Sequence, residues 1–407
     1  MLFEIAWRSL LNRRISVALT IVSIALSVII VVGVEHIRHQ AESSFNRTVS
    51  GVDLIVGART GQLNLLLYSV FRVGNPTNNI SWNSYELVTS DDRVAWTIPL
   101  SLGDSHRGYR VLGTNRDYYR HFRYGQQQSL ALESGRFFED TFETALGYDV
   151  ARQLDYKVGD EIIIAHGTGE ISFSMHNDHP FTVVGILTPT GTPVDQTVHT
   201  PLEGMEAIHS GRPAGGGVRG SQSLQPTEIT AFMLGLESRM AVFTLQRNIN
   251  EHRGEPLLAI LPGVALAELW EMMSIVENIL LLISAMVLAA SLLCLSTMLL
   301  SSLRERRNEI VLLRSIGMHS SSILMLIELE AIVVTLLGIA AGYLIICGLL
   351  LLGQDWLSYQ YGLFISAIPQ SSSVFIYLGT IMAATVLIAL IPALTAYRGA
   401  VDGRVGQ

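Results

Sequence analysis

Few residues in this 407-residue chain are spaced for chemistry. His176-Asn177-Asp178-His179 brings two imidazoles and a carboxylate close together, with His166 shortly before them. Imidazole beside carboxylate suits zinc or copper. The ligand spacing of a closed four-coordinate site is missing, so the group reads as a polar surface turn. No bound metal is expected, and His166, His176, Asp178 and His179 are the only candidates for one. Nucleotide chemistry is the second option. A phosphate-cradling loop, G-x-x-x-x-G-K-[ST], needs a lysine on the phosphates and a hydroxyl next to it. The basic residues are 26 arginines and one lysine, Lys157, which Val158 follows. The chain therefore cannot carry that loop. It has neither a G-x-S-x-G elbow nor an H-E-x-x-H pair. It is not expected to be an enzyme or to bind a cofactor itself.

The third option is a contact. Arg304-Glu305-Arg306-Arg307-Asn308-Glu309-Ile310-Val311-Leu312-Leu313-Arg314-Ser315-Ile316-Gly317 lies between two uncharged runs, Asn278–Leu303 and Ala331–Gln354. Each run exceeds the roughly 20 residues that cross a bilayer as a helix. An arginine at mid-membrane costs about 2.5–3.5 kcal/mol on insertion scales, so Arg304, Arg306 and Arg307 stop the preceding span. Short loops rich in arginine stay in the cytoplasm. Ile310, Leu313 and Ile316 recur at helical spacing, with Arg307 and Arg314 largely on other faces, and Gly317 is placed to end the helix. A helix with one oily and one basic face could dock a partner protein. It could equally rest on lipid headgroups.

The elements that position this segment follow from composition. The mean hydropathy is +0.39 with 15% charged residues, which fits a few spans joined to a sizeable soluble domain. Residues 1–15 read as an amphipathic surface helix and 16–34 as the first span. A cleaved secretory signal is the alternative, but Ile15–Val34 is uncharged for longer than a usual signal core and no small-residue cleavage pattern follows. Residues 35–275 read as an extracytoplasmic α+β domain with room for two subdomains, and Gly211–Pro226 reads as a flexible loop and the best internal boundary. Strands are expected near Val52–Val56, Val94–Leu100, Tyr109–Gly113, Glu161–Ala165, Phe181–Leu187, Glu228–Leu236 and Leu257–Leu261. Helices are expected over Thr144–Leu154, Arg239–Asn250 and from Ala265 onward, the last running into the second span.

The second span is placed at 276–303, the charged helix at 304–322 and the third span at 323–353. An outer loop follows at 354–372, then a fourth span at 373–394, ended by Ile391-Pro392-Ala393, and a cytoplasmic tail at 395–407. Gly338 and Gly342 form a small-xxx-small pair that lets helices approach closely. Glu330 near the start of that span is costly unless it faces protein, water or headgroups. The fold class is thus a membrane protein with four transmembrane helices and a large mixed α/β extracytoplasmic domain inserted between helices 1 and 2.

Charge supports the orientation. Residues 35–271 hold 18 basic and 27 acidic side chains, whereas the segments assigned to the cytoplasm (1–15, 303–322, 395–407) hold 9 basic and 4 acidic. A basic inner side fits the positive-inside rule and anionic lipid. The acidic domain argues against nucleic acid as a partner. Both cysteines, Cys294 and Cys347, fall in spans, so the domain folds without disulfides.

The stretch RERRNEIVLLRSIG, over 304–317, resembles the cytoplasmic coupling segment of the MacB/FtsX/LolC class of ABC transporter permeases. The resemblance is carried by Arg306, Arg307, Glu309, Ile310, Leu313, Arg314, Ile316 and Gly317, and it extends to the layout of one span, a large outer domain and three more spans. Glu330 lies in a stretch, Leu329-Glu330-Ala331, that resembles the start of the third span in that class. VDLIVGARTGQLNLLLYSVFRVGNPTNNI, SGRFF and FTVVGILTPTGTPVDQTVHTPLEGMEAIH resemble permeases of unassigned cargo. The resemblance implies a multi-pass permease of the bacterial inner membrane with both termini cytoplasmic. It implies a homodimer, or a pseudo-symmetric heterodimer, bound to two copies of a separate ATPase that holds the ATP and Mg. It implies mechanotransmission: Arg304, Glu305, Arg306, Arg307, Glu309 and Arg314 would contact the ATPase, and motion would pass to the outer domain for export or extraction of an unidentified substrate. A periplasmic adaptor or lipoprotein, and membrane lipid, would be further partners. The alternatives are an FtsX-like regulatory subunit that activates an extracytoplasmic enzyme, and LolC-like extraction of lipoproteins or lipids.

Overall fold

The computed structural model describes residues 6–8, 10–11, 13–48, 50–166, 180–209, 225–305, 319–361 and 366–401. The chain divides into two compact units. One comprises Met1–Ala41, Ser274–Gln360 and Ile365–Gln407, and the other Glu42–Met273 with Tyr361–Phe364.

Four long helices dominate the first unit: α1 (Arg14–Thr48), α2 (Pro262–Glu305), α3 (Ser320–Tyr361) and α4 (Ser372–Val401). Each contains a stretch long and apolar enough to cross a membrane. Buried positions recur every three or four residues: Ile24, Val28 and Val32 on α1, Leu292, Leu295 and Leu299 on α2, Ile323, Ile327, Ala331 and Val334 on α3. The outward positions are apolar as well, including Leu19, Leu26, Leu282, Met286, Leu344 and Phe375. A helix that is hydrophobic all round suits a lipid solvent.

Two helices run past the spans placed on them, and one expected helix is not found. α4 continues through Pro392 to Val401, beyond the span placed at 373–394, although its apolar stretch is Ser372–Thr395. Proline removes one backbone donor, the one that would reach the carbonyl four residues back, and membrane helices accommodate that loss; Thr395 Oγ1 bonds a different acceptor, the Pro392 carbonyl itself, at 2.7 Å. α3 continues past Gln354 to Tyr361, because polarity alone does not end a helix and no glycine or proline intervenes between Gln354 and Tyr361. Thr144–Leu154 is not one helix. Glu143–Leu146 is a strand and Tyr148–Gln153 a short helix, with Gly147 between them. A Cβ at Gly147 would stand 2.3 Å from the Val194 carbonyl oxygen, so the turn is set by a neighbour distant in sequence.

The second unit is built on a mixed sheet. Its main strands are β1 (Leu54–Ala58), β2 (Val94–His106), β3 (Tyr109–Thr114), β4 (Leu132–Gly135), β5 (Glu143–Leu146), β6 (Phe181–Leu187), β7 (Thr197–Pro201), β8 (Ala231–Leu236) and β9 (Leu257–Ile260). They run in the order β9-β1-β8-β2-β3-β7-β5-β6-β4. The pairs β7–β3 and β6–β5 are parallel and the other neighbours antiparallel. Glu161–Ile162 adds to β6 and Ala165–His166 to β2.

Strand β2 joins the two halves of the sheet. Residues Val94–Leu100 pair with β8 and Ser101–His106 with β3, and the register slips between Leu102 and Ser105. Gly103, at φ 149°, provides the bulge that re-aims the strand. β1 is buried along its whole length, as expected for a strand paired on both sides and covered by helix Gln62–Ser69. The core runs from Ile55, Leu65 and Tyr68 through Ile98 and Leu112 to Tyr118, Ala145 and Leu187.

Candidate functional site

The charged segment begins where α2 ends. Arg304 and Glu305 occupy the last turn of α2, both exposed, while Arg306, Arg307, Glu309, Ile310, Leu313, Arg314 and Gly317 lie outside the described residues. The described end of the segment is engaged within the first unit. Arg13 Nε is 3.0 Å from Glu305 Oε2, and Arg13 Nη2 donates to the Ser302 carbonyl at 3.0 Å. Arg13 thus holds a backbone carbonyl near the described end of α2 while pairing with its Glu305 carboxylate. Ser301 Oγ adds a long contact to Glu305 Oε1 at 3.4 Å.

Two further polar links join α1 to α2. Midway, Ser23 Oγ donates to Ser291 Oγ at 2.9 Å, and the Ser27 and Ser291 hydroxyls are 2.7 Å apart. Ser291 Oγ also reaches the Ser23 carbonyl at 3.0 Å. Beyond them Arg38 Nη1 lies 3.3 Å from Glu277 Oε1, and Arg38 also grips Glu35 through Nε and Nη2. Arg13 with Glu305, Ser23 and Ser27 with Ser291, and Arg38 with Glu277 form an antiparallel ladder at three levels. Hydroxyl contacts between spans average about 0.6 kcal/mol each, a contribution comparable with that of a solvent-exposed ion pair.

Gly338 and Gly342 mark the seam between α3 and α1. A Cβ at Gly338 would stand 2.7 Å from Ile24 Cγ2, and one at Gly342 2.7 Å from the Ala25 carbonyl oxygen. Glu330 is buried at 3% exposure. α3 also meets α4, where Thr335 Oγ1 donates to Thr385 Oγ1 at 3.3 Å. His36, at 1% exposure, contacts the Ser366 carbonyl through Nε2 at 2.6 Å, which makes Nε2 the protonated nitrogen.

The second unit holds its own titratable groups. A cleft of about 560 Å³ is lined by Asn79, Asp104, Glu206, His209 and Glu228. His209 Nε2 is 3.1 Å from Asp104 Oδ2, and the hydrogen bond to that buried carboxylate raises the imidazole's pKa despite partial burial. Of the four residues that are the sequence's only candidates for metal ligands, His166 ends a two-residue strand, and His176, Asp178 and His179 lie outside the described residues.

Sequence reasoning missed Arg13, Ser23, Ser27, Ser291, Arg38 and Glu277 as a connected set. Serines four apart inside an uncharged run were the available signal, because a span spends hydroxyls where another helix can receive them.

The chain matches the MacB-like periplasmic core domain over residues 17–250 and the FtsX-like permease C-terminal region over residues 281–401. Two solved structures are similar in part. One is the periplasmic region of MacB from Actinobacillus actinomycetemcomitans, at 10% identity, covering 57% of this chain and 95% of that one with a TM-score of 0.35. The other is the extracellular domain of the noncanonic ABC-type transporter YknZ from Gram-positive bacteria, at 14% identity, covering 51% and 98% with a TM-score of 0.31. A comparison with curated proteins returned no match. The core-domain match spans more than half of the chain and the C-terminal match most of its last three helices, so this protein belongs to the MacB/FtsX/LolC class of ABC transporter permeases.

Proposed function

We propose that this chain is the membrane subunit of an ABC transporter whose ATPase is a separate polypeptide, and that it passes the ATPase's motion to its extracytoplasmic domain. The observation that carries the reading is one chain with both a MacB-like core domain and an FtsX-like permease region but no lysine placed for a phosphate loop. The four long helices cross the inner membrane, both termini lie in the cytoplasm and the domain lies outside. The chain pairs with a second copy of itself and binds two ATPase copies. The moved substrate is exported or extracted by the outer domain.

Energy then enters through residues 304–317. Losing one partner of a buried interfacial charge pair costs about 2–5 kcal/mol, far more than losing a rim charge. Arg306→Glu with Arg307→Glu should therefore abolish co-purification of the ATPase from detergent-solubilised membranes, and Leu313→Asp should do the same by breaking the apolar face. Correct insertion is checked in each variant, because charge reversal weakens the positive-inside signal. Variants that insert, retain the ATPase and support normal stimulated hydrolysis would reduce the segment to a lipid-surface anchor.

A further inference from the structure

Beside the Arg13–Glu305 contact, a notch of about 210 Å³ opens where α1 begins and α2 ends. Its polar lining comprises Arg13, Arg14, Ser16, Ser301 and Glu305, and Met298 supplies an apolar wall. The charges on this lining are unequally committed. Glu305 and Arg13 neutralise each other at 3.0 Å. Arg14 is exposed and pairs with no anion among the described residues. Among the described residues the uncommitted charge in the notch is positive.

Depth narrows the choice of ligand. Arg14 is followed directly by the uncharged run Ile15–Val34, and Ile15 and Leu19 beside it are exposed apolar side chains. If Arg14–Gln40 spans the bilayer, Arg14 lies at the level where hydrocarbon gives way to phosphate. Soluble anions reach that level with difficulty, whereas a lipid phosphate is already there with its glycerol and acyl chains. A phosphodiester in the notch would meet the Arg14 guanidinium and the hydroxyls of Ser16 and Ser301, with its chains along Met298 and the exposed face of α1.

We propose that this notch is a binding site for the phosphodiester headgroup of an anionic phospholipid. The site needs only that α1 crosses the membrane; it shares Glu305 with the segment proposed to meet the ATPase, whereas Arg14 and Ser16 lie outside that segment. Occupancy would brace the Arg13–Glu305 contact by screening Arg14 from Arg13, which the sequence places side by side.

The test uses the full chain in phosphatidylcholine nanodiscs, with and without phosphatidylglycerol, and measures retained lipid by native mass spectrometry beside the melting temperature. An arginine near a charged headgroup is worth about 1 kcal/mol, or about fivefold in occupancy. Arg14→Gln should therefore lower retained phosphatidylglycerol about fivefold. Arg398→Gln removes an exposed charge near the end of α4, away from the notch lining, and should leave retention unchanged. Ser301→Phe fills the notch without altering charge and should lose retention as Arg14→Gln does, which keeps the test valid if Arg14→Gln fails to insert. Equal retention in wild type and Ser301→Phe, or equal loss in Arg14→Gln and Arg398→Gln, overturns the site. Inorganic phosphate that raises the melting temperature in pure phosphatidylcholine and displaces phosphatidylglycerol would make it a free-anion site and overturn the lipid assignment.

Discussion

Arg13 and Glu305, far apart in sequence, meet at 3.0 Å, and the same guanidinium donates to the Ser302 carbonyl. The Arg13 side chain is 16% exposed and the Glu305 side chain 61%. An exposed ion pair contributes about 0.2–1 kcal/mol, whereas a hydrogen bond to a charged group that is largely withdrawn from water contributes about 1.5–3. Arg13 is the member with more to lose. Arg13→Ala should lower the melting temperature of the purified chain more than Glu305→Ala, because only the former also loses the bond to the Ser302 carbonyl. The exchange Arg13→Glu with Glu305→Arg should restore the pair but not that bond, and melt between wild type and Arg13→Ala. Equal melting of the two single variants would show that the Ser302 bond contributes nothing.

Gly338 and Gly342 yield a sharper prediction. The nearest atom at Gly338 is Ile24 Cγ2, part of a side chain, while at Gly342 it is the Ala25 backbone oxygen, which moves only with α1 itself. Overpacking a tight contact costs about 1–3 kcal/mol. Gly342→Ala should therefore destabilise more than Gly338→Ala, and Gly342→Leu should prevent α3 from docking on α1. Crosslinking between cysteines introduced on α1 and α3 would measure that docking, and unchanged crosslinking in Gly342→Leu would contradict the seam.

What was legible in the sequence followed the range of the interaction that decides it. The uncharged runs were plain because lipid acts on every residue of a span alike, and Gly338 with Gly342 signalled a close seam four residues apart. The partner of that seam was not legible, since nothing local to α3 names Ile24 or Ala25. Glu305 shows the same limit: read beside Arg306 and Arg307 it belongs to a charged segment, yet its contact is with Arg13. Thr144–Leu154 failed for a related reason. Its helical spacing is genuine only after Gly147, and the strand before it exists because β6 and β7 lie on either side.

The second unit should carry a hidden acid sensitivity. His199 is fully buried, and burial, helped by the nearby Arg72 charge, pushes its pKa down to about 3. A histidine held neutral contributes stability above its unfolded pKa near 6.5 and loses it as pH falls toward the folded value. Asp195 works against it. Burial lifts its carboxyl to about 6, against hydrogen bonds from Thr190 and Gly191, so its contribution is present below the unfolded value and lost as pH rises through about 6. From pH 7 to 5 the two slopes oppose. His199→Gln removes the first slope alone, and should therefore gain about 2 kcal/mol relative to wild type over that interval. Melting at both pH values measures the difference; parallel changes in wild type and His199→Gln would mean that His199 is not held neutral.

The orientation in the membrane makes the final prediction. Arginines crowd the segments before α1, after α2 and at the end of α4, whereas the second unit is acidic. Short loops retain such arginines on the cytoplasmic side, because carrying them across is what insertion resists. Single cysteines in a Cys294→Ser, Cys347→Ser background report the side directly. Ser134 is exposed on β4 and should react, as a cysteine, with a membrane-impermeant thiol reagent in intact spheroplasts. A cysteine at Ser221 should react likewise. A cysteine at Ser315 should remain unlabelled until the cells are lysed, then label fully. The order of these two results matters, since labelling only after lysis separates a cytoplasmic residue from one that is merely buried. Labelling of the Ser315 cysteine in intact spheroplasts, with Ser134 protected, would invert the molecule and place the charged segment on the side where no ATPase can reach it.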